Sequence, residues 1–566
     1  MRRDLLSVSL VVALAVAACG TGPAASPSQA TSAAPPASSP PSATSGSPST
    51  ATGGTVPGTS VSIHRLAEIN AKFHPIEGQS NQYMLYYLVF DTLVKLDLTD
   101  PALQKLVPDL ADKWEISADA TTYTFHLHPG VKWQDGTPFT AKDVVFTATW
   151  GAQNFDKFIG FLPQWNHLVG AEKALGTKDP IEGVTAPDDN TVVFKLAAPN
   201  VEFLRLLSDA PNVIIPEHLL NDIPVANLET SKFITAPVGT GPYKLTKIEP
   251  DQFIEFDANP DYFLGPPKIE KFFYKYFAGP EAATAQVQSG DLDILLKAPP
   301  TELDNLKANP KLNVFTSPSP GIVALTVQVD NPRWADKRVR QALYYGVDRR
   351  GIVRSVLNGQ ARVLIGAPGF KEYPDLDPYE YNVDKAKQLL KDAKFDFTKP
   401  VRFIWDSAGP NHQEFVPVIV QQLEALGLKV ESTPLDDATW NATLNDPTKR
   451  DTFDLDISTG GSEGLSPSRS EQYYLCKQPL GASLGYENCD LRNLFEKALT
   501  IVDEAQRDEV YHQAAKILNE DVPQMYLWSP LGVHPANKRI GGSLTGVPSF
   551  ERYVTEDARN WEVVSA

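Results

Sequence analysis

At 566 residues, 42% of them hydrophobic and 10% aromatic, the chain exceeds one ordinary hydrophobic core and holds apolar material for at least two lobes. A formal net charge of -18 excludes the basic footprint that nucleic acid demands and disfavours docking on anionic lipid by charge.

The first segments of the chain are not fold. Arg2 and Arg3 precede an apolar run over 5–16 and two small residues, Ala17 and Ala18. This reads as an export signal over 1–18, with a run too short to span a bilayer comfortably. The string VAACG at 16–20 resembles a bacterial lipobox, which implies cleavage ahead of Cys19 and a diacylglycerol anchor on its sulfur. Residues 20–59 are nearly all Ala, Ser, Thr, Pro and Gly without a charged side chain, so 19–60 is expected to be a lipidated cysteine followed by a flexible tether. The expected location is extracytoplasmic, anchored to the bacterial cell membrane at the cell surface or in the periplasm.

Globular sequence follows from about Val61. Alternating apolar residues predict strands over 123–127 and 192–196. The spacing of Val339, Leu343, Val347, Ile352 and Val356 predicts one helix over 337–357. Further helices are expected over 384–390 and 493–518, and a strand over 453–458. Interspersed strands and helices predict an α/β body. Export places Cys476 and Cys489 in an oxidising compartment, where a pair closing a short loop is expected to form a disulfide contributing about 3 kcal/mol. A metal site is the weaker reading, since no further His or Cys stands beside them at ligand spacing. His126 and His128 share one face of a strand but read as incidental. No phosphate-binding GxxxxGK[ST] run is present, so any ATPase must be another polypeptide.

Several strings resemble one family, the dipeptide- and oligopeptide-binding lipoproteins that serve ABC importers. They are LADKWEIS (110–117), YTFHLHPGVKWQDGTPFTAKDVVF (123–146), PVGTGPYKL (237–245), NPDY (259–262), VQSGDLDI (287–294) and VRQALYYGVD (339–348). His128 stands where the family usually carries Arg. The 123–146 block also makes sense as scaffold: a strand, a glycine turn at 134–137, then a helix capped by Thr140 with Asp143 at capping-box spacing. The resemblance implies a two-lobed periplasmic-binding-protein-like fold, with two crossover hinge strands and a ligand cleft between the lobes. It places the first lobe at 61–327 plus 529–566 and the second at 328–528. It further implies a substrate-binding monomer that takes no cofactor and delivers a small solute to ABC permease subunits, with a peptide as first expectation and an oligosaccharide as the alternative.

For the solute, the resemblance implies specific positions. The family's peptide binders carry an acidic Gly-Asp-Pro-Asp type loop ahead of the first disulfide cysteine; here Gly464, Leu465, Ser466 and Pro467 occupy it, and Ser462 and Glu463 are the nearby polar groups. The carboxylate-binding Arg of dipeptide binders would fall near Asn411, where no Arg stands, leaving Arg469 to act by a different geometry. Gln79, Ser80, Asn81 and Tyr83 occupy the first-lobe cleft loop, and Trp405, Trp440 and Trp528 offer flat stacking surfaces. The rival class is a serine hydrolase: GGSEG at 460–464 fits a nucleophile elbow at Ser462, with His512 and His534 downstream. The family strings on either side weigh against it, and the chain is expected not to be an enzyme.

Overall fold

A computed structural model describes residues 56–65, 83–100, 105–154, 165, 167–209, 212–277, 279–318, 321–329, 331–407, 409, 411–460, 467, 485–544 and 553–564. The export signal, Cys19 and most of the tether therefore lie outside the described residues.

The first lobe grows from alternating sequence. In the strand Thr122–Leu127 every second side chain is buried, and Tyr123 and Phe125 face Phe194 and Val192 of the antiparallel strand Thr191–Lys195. With Ala111–Ile116 and Val184–Asp188 outside them, these form a four-stranded antiparallel sheet. The helix Ala141–Asn154 follows, and its start is set locally: the Asp143 carboxylate accepts the Thr140 N–H at 2.9 Å, as a capping box requires. Thr140 Oγ1 accepts from Lys142 N at 3.3 Å, one position earlier than the motif predicts. A second sheet begins with Val56–Arg65, parallel to Ile269–Lys275, and its first residues show that folded structure starts ahead of Val61. Both sheets of this lobe feed one large apolar cluster, which the C-terminal residues Tyr553, Val554, Ala558 and Trp561 complete.

The second lobe has its own clusters. One joins Val323, Leu325 and Val327 to Phe403, Leu455, Leu527 and the helix faces Val339–Leu343 and Phe415–Leu423. Another packs Ile322, Ala324 and Tyr526 against the helices Cys489–Leu499 and Glu504–Asp521. Two predicted helices are each broken in two. The 337–357 stretch is Lys337–Gly346 and Arg349–Ser355, because Asp348 turns its carboxylate to cap Gly351 N at 2.8 Å. The 493–518 stretch breaks after Leu499 for the same reason: Asp503 caps Gln506 N at 2.9 Å and starts a new helix.

The lobes share one sheet. Strand Leu312–Pro318 runs out toward Ile322–Val327, and the 14-residue strand Gln524–Asn537 returns. Residues 531–537 of this long strand pair with Leu312–Pro318, while 524–528 pair with Ile322–Val327. Two chain crossings thus link two separately packed cores, which is the two-lobed α/β architecture. Among the described residues, no helix is long and apolar enough to cross a membrane.

Candidate functional site

In the second lobe Val401–Asp406 lies between Val430–Leu435 and Leu455–Gly460 and runs parallel to both. The helix after the first of these strands, His412–Ala425, packs Phe415 and Ile419 into the cluster with Phe403 and Trp405. The helix after the edge strand, Asp437–Asn445, packs Trp440 on Ile404 and Phe453, on the opposite face. Helices on opposite faces mean that connections leave the sheet in opposite directions. The carboxyl ends of Val401–Asp406 and Leu455–Gly460 lie side by side, at the edge of the sheet where open α/β sheets bind ligands. The chain leaves one strand through 407–411 and the other into 461–466.

The first of those loops is pinned by a buried histidine. His412 is fully buried, and its Nδ1 donates to the Asp406 carbonyl at 2.7 Å. Burial lowers its pKa, the hydrogen bond opposing, so the ring is neutral and Nε2 is an acceptor without a partner among the described residues. A Cβ on Gly409 would stand 2.1 Å from the ring's Cε1; only glycine lets the loop close over the imidazole. Asn411 is left-handed (φ 59) at the start of the following helix, and its side chain makes no capping bond. His412 was not singled out from sequence; the run Gly409, Pro410, Asn411 ahead of a helix is the signal that marks such a tight strand-to-helix turn.

Of the predicted site residues, the structure puts Asn411 on this loop and Trp405 in the strand leading to it. Trp405 is 8% exposed and donates from Nε1 to Ser432 Oγ at 3.0 Å. Trp440 is equally buried, but on the other face of the sheet, so the two indoles are not brought together. Trp528 is a core residue, edge-on to Phe415 at 5.0 Å. Tyr83 opens the helix Tyr83–Val89. Gln79, Ser80, Asn81, Ser462, Glu463, Arg469 and Cys476 lie outside the described residues, and Cys489 begins the helix Cys489–Leu499. Both rival histidines have structural partners. His512 stacks on Tyr373 and meets Asp375 at 2.7 Å, and buried His534 contacts Lys297 N and Ser317 Oγ, each at 3.2 Å.

Two of the family-like strings, PVGTGPYKL and NPDY, meet elsewhere, at a buried polar network of the first lobe. Lys95 Nζ lies 3.0 Å from Asp91 and 2.9 Å from Asp109. Thr240 and Tyr262 both donate to Asp91, at 2.8 and 2.9 Å, and Thr92 N donates to Asp109 at 3.0 Å. Burial alone would lower the Lys95 ammonium, but Asp109, Tyr262 and Asp91 outweigh it and hold it well above its ordinary value. Burial pushes Asp109 up and Lys95 opposes it. Beside this network Gly239 and Gly241 press on residues 88–90, where a Cβ on Gly239 would stand 1.8 Å from the Val89 carbonyl oxygen. Every group here is tied to another protein group, so this part of the molecule is scaffold.

Comparison with known proteins agrees with this architecture. The family model described as bacterial extracellular solute-binding proteins, family 5, matches residues 105–480. A Brucella abortus protein named for peptide binding by an ABC transporter is 30% identical over 449 residues, covering 78% of this chain and 81% of its own. The oligopeptide-binding protein AppA of Bacillus subtilis is 29% identical over 433 residues, covering 72% and 75%. Among solved structures, the ABC transporter substrate-binding protein CtaP of Listeria monocytogenes superposes with a TM-score of 0.75 at 24% identity, covering 89% of this chain and 99% of its own. Bacillus subtilis AppA in complex with a nonapeptide gives a TM-score of 0.72 at 24% identity, covering 89% and 99%.

Proposed function

The chain belongs to the bacterial extracellular solute-binding proteins of family 5, and from that premise we propose that it captures peptides and hands them, unaltered, to an ABC permease. The observation that carries this reading is the family match over 105–480 on a body whose two cores share the strands Leu312–Pro318, Ile322–Val327 and Gln524–Asn537. A peptide lying at the end of the second-lobe sheet and touching the first lobe stabilises the closed arrangement by its contacts with both. It thereby biases a hinge at the partner change of the long strand, near 529–530. The loop 407–411 supplies Asn411, and Ser462, Glu463 and Arg469 beyond Gly460 supply polar partners, Glu463 facing the peptide ammonium. Gln79, Ser80, Asn81 and Tyr83 complete the first-lobe side.

The string VAACG and the uncharged segment 20–59 support an anchor at Cys19 on a tether long enough to hold the body off the membrane. A Cys476–Cys489 disulfide fits the exported location. Thermal melting of the full chain with peptide pools of two to nine residues tests the central reading. A peptide at 100 times its dissociation constant stabilises by about 2.7 kcal/mol, and mass spectrometry should return it intact. Oligosaccharides raising the midpoint while peptides leave it unmoved would overturn the peptide reading. Hydrolysis of the peptide, abolished by Ser462→Ala, would overturn the non-enzymatic one.

A further inference from the structure

Away from the crossing strands, a built contact joins the two cores among the described residues. In the first lobe the turn 200–202 is held rigidly: Tyr123 donates to the Asn200 carbonyl at 2.6 Å, Asn200 N donates to Ala120 O at 3.2 Å, and Asn200 Oδ1 accepts Glu202 N at 3.0 Å. Phe203, Leu204 and Leu207 root the next residues in the first-lobe cluster. Val201 N is thereby aimed outward, and it donates at 3.0 Å to the carbonyl of Leu499. Leu499 ends a helix whose Leu491, Phe495 and Ala498 belong to a second-lobe cluster. The helix's other terminal carbonyls at Lys497 and Ala498 are taken locally, by Thr500 N and Ile501 N at 3.1 Å each, so the bond from Val201 satisfies the one that points away.

An ion pair lies beside it. Arg507 Nη1 stitches the turn between the two second-lobe helices, donating to Ile501 O at 3.0 Å and Val502 O at 3.2 Å. Its Nε faces Glu202 Oε1 of the first lobe at 3.9 Å, with the two side chains only 19% and 12% exposed. The break at Asp503, which splits the helix expected over 493–518, is what brings Leu499 and Arg507 to the same spot.

We infer that Val201 and Glu202 against Leu499 and Arg507 form an interlobe latch, which holds the lobes closed without solute and slows solute release. The inference rests on the two-lobed solute-binding reading. When the lobes separate, the amide, the carbonyl and both charges return to water, so each interaction favours closure only by its net worth. For such an ion pair this is about a two- to five-fold shift in the closed-to-open ratio. By linkage, weakening closure lowers solute affinity only as far as it lowers the fraction of lobes already closed.

Amide hydrogen exchange at Val201, followed by mass spectrometry on the full chain without solute, tests this directly, because the amide is protected only while the lobes touch. Glu202→Arg and Arg507→Glu should each speed exchange at Val201 about two- to five-fold, and the double exchange Glu202→Arg/Arg507→Glu should recover part of the loss. Glu202→Gln, which keeps shape and removes charge, gives the same direction should a reversal disturb folding. Exchange at Val201 that is unchanged in every variant, or unprotected in the parent chain, would overturn the latch. Neither measurement uses a solute, so a failed peptide screen and a failed latch are told apart.

Discussion

The buried network around Lys95 and the sheet end around Asp406 and His412 are built on opposite logics. In the first lobe, two carboxylates, one ammonium and two hydroxyls are buried and bound to one another. Around the second-lobe sheet end, polar groups stand singly among the described residues: His412 keeps a buried Nε2 without a partner there, and Asp456, near the start of the adjacent strand, is buried with Thr326 Oγ1 as its hydrogen-bond donor and no counter-charge among them. Two of the recognisable strings belong to the first kind of region. Strings such as GTGPY and NPDY persist as recognisable words because Thr240 and Tyr262 must meet Asp91 through a fixed backbone, whereas a ligand end need only present adaptable loops.

If the first-lobe network is scaffold, breaking it should cost the most. Lys95→Met leaves Asp91 and Asp109 facing each other without an ammonium, and the expected loss is about 3–5 kcal/mol in chemical denaturation. A loss below about 1 kcal/mol would show that water enters the site and would erase the contrast. Gly239→Ala acts on the same docking of residues 88–90 through shape alone. Its methyl group must displace the Val89 backbone, at an expected cost of about 1–3 kcal/mol, with peptide affinity retained in the folded fraction.

Much of the scaffold was legible for a physical reason. The strands 122–127 and 191–195 alternate because one face is buried, and the capping partner of Thr140 sits at a fixed offset. The helix breaks at Asp348 and Asp503 were not read, because apolar spacing continues through them while the deciding event is one aspartate side chain capping the backbone. The site was legible only in outline. Asn411 was placed by resemblance, yet the feature that fixes its loop, His412 packed beneath Gly409, is a tertiary contact that periodicity does not report. Trp405 and Trp440 look equivalent in sequence, but the parity of the strand and the direction of the crossover put them on opposite faces.

The two regions also differ in how they respond to pH. Burial pushes Glu556, next to the Lys95 network, up to about 8; Lys95 opposes the shift and Asp109 adds to it. Its Oε1 accepts Leu96 N at 3.3 Å, and its Oε2 has no hydrogen-bond partner among the described residues. An acid with a raised folded value keeps its proton while the unfolded chain has lost it, so stability falls as pH rises toward the folded value. Buried His64 and His412 and half-buried His167, all lowered chiefly by desolvation, act oppositely, but only below the ordinary histidine value of about 6.5. Between about pH 6.5 and 8 the acids are therefore unopposed, and the denaturation free energy should fall by up to about 1.4 kcal/mol per pH unit for Glu556. Glu556→Gln should flatten that slope; an unchanged slope would mean the carboxyl is already ionised in the fold.

The smallest effect is the sharpest test of the second region. Asp454 and Asp456 are two residues apart, yet Asp454 accepts from Arg402 Nε at 3.0 Å and lies 3.6 Å from Arg333, and these partners overcome burial to hold it below the usual carboxylate range. Asp456 has only the Thr326 hydroxyl against its burial, which pushes it up to about 7. It therefore keeps its proton where the unfolded chain has lost it, so Asp456→Asn should be near neutral only below the ordinary Asp value of about 4 and increasingly stabilising as pH rises toward 7. At pH 8 the native carboxyl must either ionise without a counter-charge among the described residues or hold a proton against solution, and the same substitution should stabilise by at least about 1 kcal/mol. A destabilisation of similar size at pH 8 would mean that the ionised Asp456 is held by a positive group, and the sheet end would then be as fully paired as the first-lobe network.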